Sequence, residues 1–72
     1  MTRKAGTLRI TVNGEPRDVA AGTTIAQILR EAGLPEDQVA IELNRRLVRS
    51  PDYGREIADG DSVEIVTFVG GG

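Results

Sequence analysis

The 72 residues include nine Gly, three Pro, two aromatics (Tyr53 and Phe68), no Cys and no His, and nine Lys or Arg against eleven Asp or Glu leave a formal charge of -2. That length holds one domain, which buries only about 60% of the surface its unfolded chain exposes, and a slightly acidic chain is a poor general binder of phosphate backbones. Without Cys there is no disulfide framework, iron–sulfur cluster, thiolate zinc site or thioester-forming nucleophile, and without His the commonest general base near neutral pH is missing.

After a short basic arm, Leu8, Ile10 and Val12 alternate with Arg9 and Thr11, and this period of two predicts a strand over Thr7–Val12 with one buried face. Asn13-Gly14 is the dipeptide that best tolerates positive φ in a two-residue hairpin turn. Pro16–Val19 follows as a second strand at a sheet edge, because Pro16 cannot donate to a ladder. Ala21-Gly22-Thr23 breaks the pattern, and Thr24-Ile25-Ala26-Gln27 then has the form of a capping box. Ile25, Ile28, Leu29 and Ala32, at i, i+3, i+4 and i+7, turn one apolar stripe to the sheet while Gln27, Arg30 and Glu31 face water. Gly33 offers a left-handed residue after the helix and Pro35 prevents its continuation, which predicts a helix over residues 24–32.

Val39, Ile41 and Leu43 alternate with Ala40 and Glu42 in a third strand, Asn44-Arg45-Arg46 turns the chain, and Leu47-Val48 make a brief fourth. Ser50 to Gly54, with Pro51 and Tyr53, reads as an irregular surface crossing. Asp59-Gly60-Asp61 is another turn, and Ser62–Val69, the most β-branched stretch, is the last strand. A hairpin, one helix, a short strand pair and a final strand returning in parallel beside the first make an α+β layer. This is the β-grasp arrangement, one helix packed on a mixed four- to five-stranded sheet. The domain is expected over residues 7–69, between an arm at 1–6 and a flexible tail at 70–72. No apolar run exceeds three residues, against the ~20 that span a bilayer, and no apolar stretch follows the polar start. A cytoplasmic protein without membrane or nucleic-acid partners is expected.

Chemistry has few places to reside. Ser and Thr hydroxyls lack a base, and the one Lys, Lys4, lies in the arm, so no catalytic residue is expected. Gly22-Thr23-Thr24 stands where a helix start can receive an anion, but it lacks the glycines and lysine of a phosphate loop, and a capped helix start accounts for it. Glu56, Asp59, Asp61 and Glu64 lack the spacing of a calcium loop, so a solvated turn is expected rather than a metal site. Arg45, Arg46 and Arg49 form a basic cluster that either meets an acidic partner or phosphate, or guards a solvated edge against sheet extension.

The last strand carries apolar residues on both faces: Val63, Ile65 and Val69 on one, Val66 and Phe68 on the other. With one helix to cover one face, Val66 and Phe68 either form an exposed patch suited to a partner or pack under neighbouring Arg and Glu stems. Beyond them Gly70-Gly71-Gly72 has no Cβ atoms, a thin strand reaching up to about 10 Å that enters channels no side chain passes. Only backbone and a carboxylate arrive there. An ionised carboxylate is a poor acyl donor until a good leaving group such as AMP is attached, and with no phosphate loop in this chain the activation falls to an ATP-using partner. A frayed terminus or a cloning remnant is the plain alternative.

The segments Ile10-Thr-Val-Asn-Gly-Glu-Pro16, Val39-Ala-Ile-Glu-Leu-Asn44 and Asp59-Gly-Asp-Ser-Val-Glu-Ile-Val-Thr-Phe-Val-Gly-Gly-Gly72 together resemble the ThiS family, the ubiquitin-like β-grasp sulfur carriers of thiamine biosynthesis. The resemblance runs from about Leu8 to Gly72. It implies that the carboxylate of Gly72 is adenylated by an E1-like enzyme of the ThiF type using ATP, while the carrier binds no cofactor and catalyses nothing. A cysteine desulfurase system would then supply the sulfur that converts the adenylate to a thiocarboxylate, and a thiazole synthase of the ThiG type would receive it. In that scheme Gly70 and Gly71 are the slender approach to the partner's active site, and the sheet face near Val66 and Phe68 is the docking surface. Arg45 departs from the family pattern, which has Gly after the Asn, and the arm 1–6 precedes the usual family start. The small subunit of molybdopterin synthase, the MoaD type, shares fold, tail and chemistry and is the nearest alternative. A non-covalent β-grasp interaction module and a protein-tagging modifier are the others.

Overall fold

In the computed structural model, which describes residues 6–68, Asn13 and Gly14 both take positive φ, 51° and 85°. That pair of angles is what a type I′ turn requires, and its twist matches the strands it joins. β1 (Thr7–Val12) and β2 (Glu15–Ala20) therefore form an antiparallel hairpin running from Val12 opposite Glu15 to Thr7 opposite Ala20. β2 is a residue longer at each end than expected, and Pro16 lies on an outer strand, as a residue without an N–H must.

The helix α1 spans Ile25–Glu31, one residue inside the expected limits at each end, because Thr24 and Ala32 are its caps. At the N-terminus the Thr24 hydroxyl accepts from the Gln27 N–H at 3.1 Å and the Gln27 side chain accepts from the Thr24 N–H at 3.0 Å, a complete capping box. At the C-terminus Gly33 has φ 73°, its N–H donates to the Arg30 carbonyl, and the Leu34 N–H donates to the Leu29 carbonyl. These two bonds are the Schellman motif, and the left-handed residue it needs is the Gly the sequence supplies.

β3 (Val39–Leu43) and β4 (Arg46–Val48) form a second antiparallel hairpin, and β5 (Ser62–Thr67) completes a five-stranded sheet of order β2-β1-β5-β3-β4. β5 is the central strand: it runs parallel to β1 through Thr11–Ser62 and Val12–Val63, and antiparallel to β3 from Val39–Thr67 to Leu43–Val63. The mixed sheet under a single helix is the expected β-grasp arrangement. Val69, placed at the end of the last strand by the sequence, lies outside the described residues, as do Gly70, Gly71, Gly72 and most of the arm.

Asn44 and Arg45, between β3 and β4, also take positive φ, 53° and 69°. The chain thus keeps a turn of the same kind as the first, with an L-residue in the place that Gly14 occupies there.

The core lies between α1 and one face of the sheet: Ile25, Ile28 and Leu29 from the helix meet Ile10, Val12, Val39, Ile41, Val48 and Val63. Tyr53 and Ile57 complete it, and Tyr53 corrects the reading of residues 50–54 as a surface crossing, although the other four residues of that segment are exposed. Ser50–Asp52 is a single turn of 3-10 helix, and Tyr53, which caps it, is only 4% exposed. The Tyr53 carbonyl accepts from the Ala26 N–H at 2.9 Å, and the Ile57 N–H donates to the Thr23 carbonyl at 2.8 Å. A backbone so tied at both ends can bury two side chains without leaving its own polar groups unpaired.

Candidate functional site

With one helix available, only one face of the sheet is covered. Cross-strand register places Leu47, Glu42 and Glu64 in one row across β4, β3 and β5 on the opposite face, with Ala40 beside Val66 in the next row. The Phe68 N–H donates to the Gln38 carbonyl at 2.9 Å, extending the β3–β5 pairing and setting Phe68 on the same face as Val66. Leu47, Val66 and Phe68 are 60%, 59% and 61% exposed, the large apolar side chains most open to water among the described residues. Of the two arrangements the sequence left open for Val66 and Phe68, the exposed patch is the one found. Leu47 joins it, a residue sequence reasoning passed over because a three-residue strand has no periodicity to read.

Val66 of the patch lies on β5, the strand that precedes residues 70–72 in the chain, and that strand is firmly held. Val63 is fully buried at the start of β5, between β1 and β3. At the first turn the Asn13 N–H donates to the Val63 carbonyl at 2.8 Å, and the Asn13 side-chain carbonyl accepts from the Ile65 N–H at 2.7 Å. β1 ends at Val12, so this side chain continues the parallel ladder after the backbone of β1 has turned away. At the second turn Asn44 brackets Ser62: its N–H donates to the Ser62 carbonyl, and its side-chain carbonyl accepts from the Ser62 N–H at 2.9 Å. Its amide also donates to Asp61, whose other carboxylate oxygen accepts from the Ala58 N–H. The V-N-G and E-L-N segments are therefore clamps on the central strand. Their turn chemistry was legible in the sequence, whereas the bonds across fifty residues and eighteen residues of chain were not.

The other candidates separate in space. Arg46 lines a cleft of about 370 Å³ with Leu43, Asn44, Leu47, Val48 and Arg55, whereas Arg49 lines a different groove of about 460 Å³ that also holds Glu36, Asp37 and Tyr53. Arg46 and Arg49 thus do not line one cleft, and Arg45 lines neither. Of the acidic residues, Asp61 is engaged as above, the Asp59 carboxylate accepts from the Arg9 N–H, and Glu64 lies on the open face. Among the described residues no group of three or more His, Cys, Asp or Glu is placed to hold a metal ion. At the start of α1 the Ala26 and Gln27 N–H groups are already used by Tyr53 and Thr24, which leaves no cradle for an anion.

Two groups are electrostatically perturbed. The Arg9 guanidinium donates to Asp18 directly across the β1–β2 hairpin, and this hydrogen bond and the Asp18 charge raise its pKa. Burial, with a smaller contribution from Glu36, pushes the Tyr53 phenol above its ordinary value of 10.0. No described helix is long and apolar enough to cross a membrane.

Comparison with known proteins gives these features a context. The profile of the ThiS family matches residues 10–72. The sulfur carrier protein ThiS of Thermus thermophilus is 39% identical over 64 residues, covering 85% of this chain and 95% of that protein. A thiazole synthase of Paramagnetospirillum magneticum is 38% identical over 66 residues, covering 90% of this chain. This chain spans only 20% of the length of that synthase. Among solved structures, the thiamine biosynthesis protein ThiS of Geobacter metallireducens superposes with a TM-score of 0.72 at 30% identity, over 90% of this chain and all of that one. A ubiquitin of Caldiarchaeum subterraneum, 20% identical over 93% of this chain and all of that one, shares the fold with a TM-score of 0.58.

Proposed function

The chain belongs to the ThiS family, and from that premise we propose that it is a sulfur carrier of thiamine biosynthesis whose working group is the terminal carboxylate of Gly72. The observation that carries this reading is a family match that extends through the glycine tail to Gly72 itself. The carboxylate attacks the α-phosphorus of ATP in an E1-like partner of the ThiF type, releasing pyrophosphate and leaving an acyl adenylate. A persulfide sulfur, mobilised from cysteine by a desulfurase system, then attacks the acyl carbon and expels AMP. Reductive cleavage of the resulting acyl disulfide by a thiol leaves the thiocarboxylate. Thiazole synthase takes the sulfur from it.

The features of the chain support each part of this division of labour. A protein without Cys or His brings no thiol or imidazole of its own that would capture the adenylate or compete for the sulfur. Gly70 and Gly71 give the partner's active site a backbone without side chains to exclude. Val66 and Phe68, exposed on the strand that leads to the tail, offer the partner an apolar surface close to the reactive end. Similarity to a stretch of a thiazole synthase supports that enzyme as the acceptor, since a carrier and its acceptor gain effective concentration when joined in one chain.

Intact mass spectrometry tests the reading. Incubated with ATP, a ThiF-type enzyme, cysteine and a desulfurase, the protein gains an adenylate and then exchanges one oxygen for sulfur, and deletion of Gly72 abolishes both. Absence of both species, or a thiamine pathway that still works without Gly72, refutes it. Co-purification with a large molybdopterin synthase subunit instead of thiazole synthase transfers the same chemistry to the MoaD-type pathway.

A further inference from the structure

β4 is an outer strand of the sheet, and its free edge carries unused backbone groups. The Phe68 N–H donates to the Gln38 carbonyl and the Asn44 N–H to the Ser62 carbonyl, so by the alternation of an antiparallel ladder the N–H and C=O of Glu42 point to β5. Leu47, which stands opposite Glu42, therefore turns its own N–H and C=O outward, and no hydrogen bond among the described residues takes them. The cleft of about 370 Å³ at Arg46 and the groove of about 460 Å³ at Arg49 are both lined by Leu47 and Val48, so they adjoin along this edge as one trough. Its two sides differ in chemistry. Leu47 projects on the open face, whereas Arg46, opposite Leu43, stands on the helix side, where it lines its cleft with Arg55 and with no carboxylate. Neither guanidinium has an ion pair or a hydrogen bond among the described residues. Arg49 lies at the other end, where Glu36 and Asp37 offset its charge.

We propose that the edge of β4 takes an extended segment of a partner protein as a further strand, one that alternates acidic with apolar residues. The outward N–H and C=O of Leu47 supply main-chain bonds for strand addition. Successive residues of the added strand fall on opposite faces of the sheet. Its apolar residues then meet Leu47, and its carboxylates meet Arg46 and Arg55, whose planar forks suit them. Charge complementarity selects this occupant over a second copy of the chain. Antiparallel pairing of two copies about Leu47 would set Arg45 of each opposite Arg49 of the other, and like charges directly opposed destabilise a sheet. The basic run thus rejects self-pairing at the edge and recruits an acidic strand to it. The inference stands apart from the carrier reading, since it uses neither the tail nor Val66 and Phe68.

NMR titration of the full, isotope-labelled chain with a blocked hexapeptide of alternating valine and glutamate tests the proposal. Saturable shifts centred on the Leu47 amide and slower exchange of that N–H are expected, and the same peptide with lysine in place of glutamate produces neither. Arg46→Glu with Arg55→Glu weakens binding at least about tenfold, because like charge then faces the glutamates. Leu47→Pro deletes the outward N–H, which the β3 ladder does not use, and weakens binding to a similar extent. Circular dichroism shows that both variants are folded. Shifts centred elsewhere, equal binding of the lysine peptide, or no saturable shift overturn the inference, and so does an unaltered Kd in either variant. Inorganic phosphate that reproduces the shifts of the peptide overturns it by making the cleft a simple anion site. A wild type that dimerises through β4 overturns it by making a second copy the occupant.

Discussion

Among the described residues Arg45 is the one, other than Asn, that combines a side chain with a left-handed φ, and replacing it with Gly should stabilise the fold. Its φ is 69°, in the left-handed region that costs an ordinary L-residue roughly 1–2 kcal/mol and costs Gly nothing. Its side chain is exposed and makes no ion pair among the described residues, so removing it loses no contact that would offset the gain. Gly is more flexible in the unfolded chain, which returns about 0.4–1 kcal/mol. The difference leaves Arg45→Gly more stable by about 0.5–1 kcal/mol, a rise in Tm of about 3–6 °C for a domain of this size. Far-UV circular dichroism suits the measurement, since the chain has no Trp. Arg45→Ala is the control: it removes the charge but keeps the strained φ, and should lie within about 0.5 kcal/mol of the wild type. Gly14 provides the reverse experiment. It holds the matching position of the first turn at φ 85°, and a Cβ there would meet no heavy atom within 4 Å. Gly14→Ala therefore loses about 1 kcal/mol through φ alone. If Arg45→Gly is no more stable than Arg45→Ala, the left-handed strain assigned to this turn is wrong.

Asn13→Gly keeps the positive φ of the first turn but deletes the carbonyl that accepts from Ile65, and should lose about 0.5–1.5 kcal/mol in urea unfolding; Asn13→Asp, which retains an acceptor, should lose less, and equal losses would show that the bond contributes nothing. Leu29→Ala empties a fully buried site beneath α1 and should lose about 2–5 kcal/mol, much of what so small a domain has, whereas Leu47→Ala on the open face should stay within about 0.5 kcal/mol. Comparable losses at both positions would place the core wrongly. The folded pKa of Tyr53 stands above the unfolded value near 10.0, so its contribution to stability is fully present below pH 10 and is lost as pH rises from there through the folded pKa. Tyr53 is the single tyrosine, so an absorbance titration reads it alone. An ordinary midpoint in a chain that circular dichroism shows to be folded would contradict its burial, and Tyr53→Phe should remove this part of the alkaline loss.

Most of the elements are legible in the chain because their signals are local. Leu8, Ile10 and Val12 state a strand by alternation, Thr24 and Gln27 cap a helix across three residues, and Gly33 ends it one residue past the cap. Each interaction closes within a turn or two of chain, and no distant partner can reverse it. Residues 50–57 are the counterexample. Ser-Pro-Asp looks like surface, and nothing local says that Tyr53 and Ile57 are core, because the groups that satisfy their backbone belong to α1 and to Thr23.

By itself the sequence determined the order of the elements, the positive-φ turn at Asn13-Gly14, and a chain without Cys or His that ends in three glycines. Each of these follows from residue chemistry at a single place in the chain. Only the tertiary structure decided which strand lies at the centre, that Asn13 and Asn44 clamp it, and that Leu47, Glu42, Glu64 and Val66 share one uncovered face. Those neighbours are set by strand register, which brings together residues from β3, β4 and β5 that are far apart in sequence, and a single helix can cover only one side of the sheet they form.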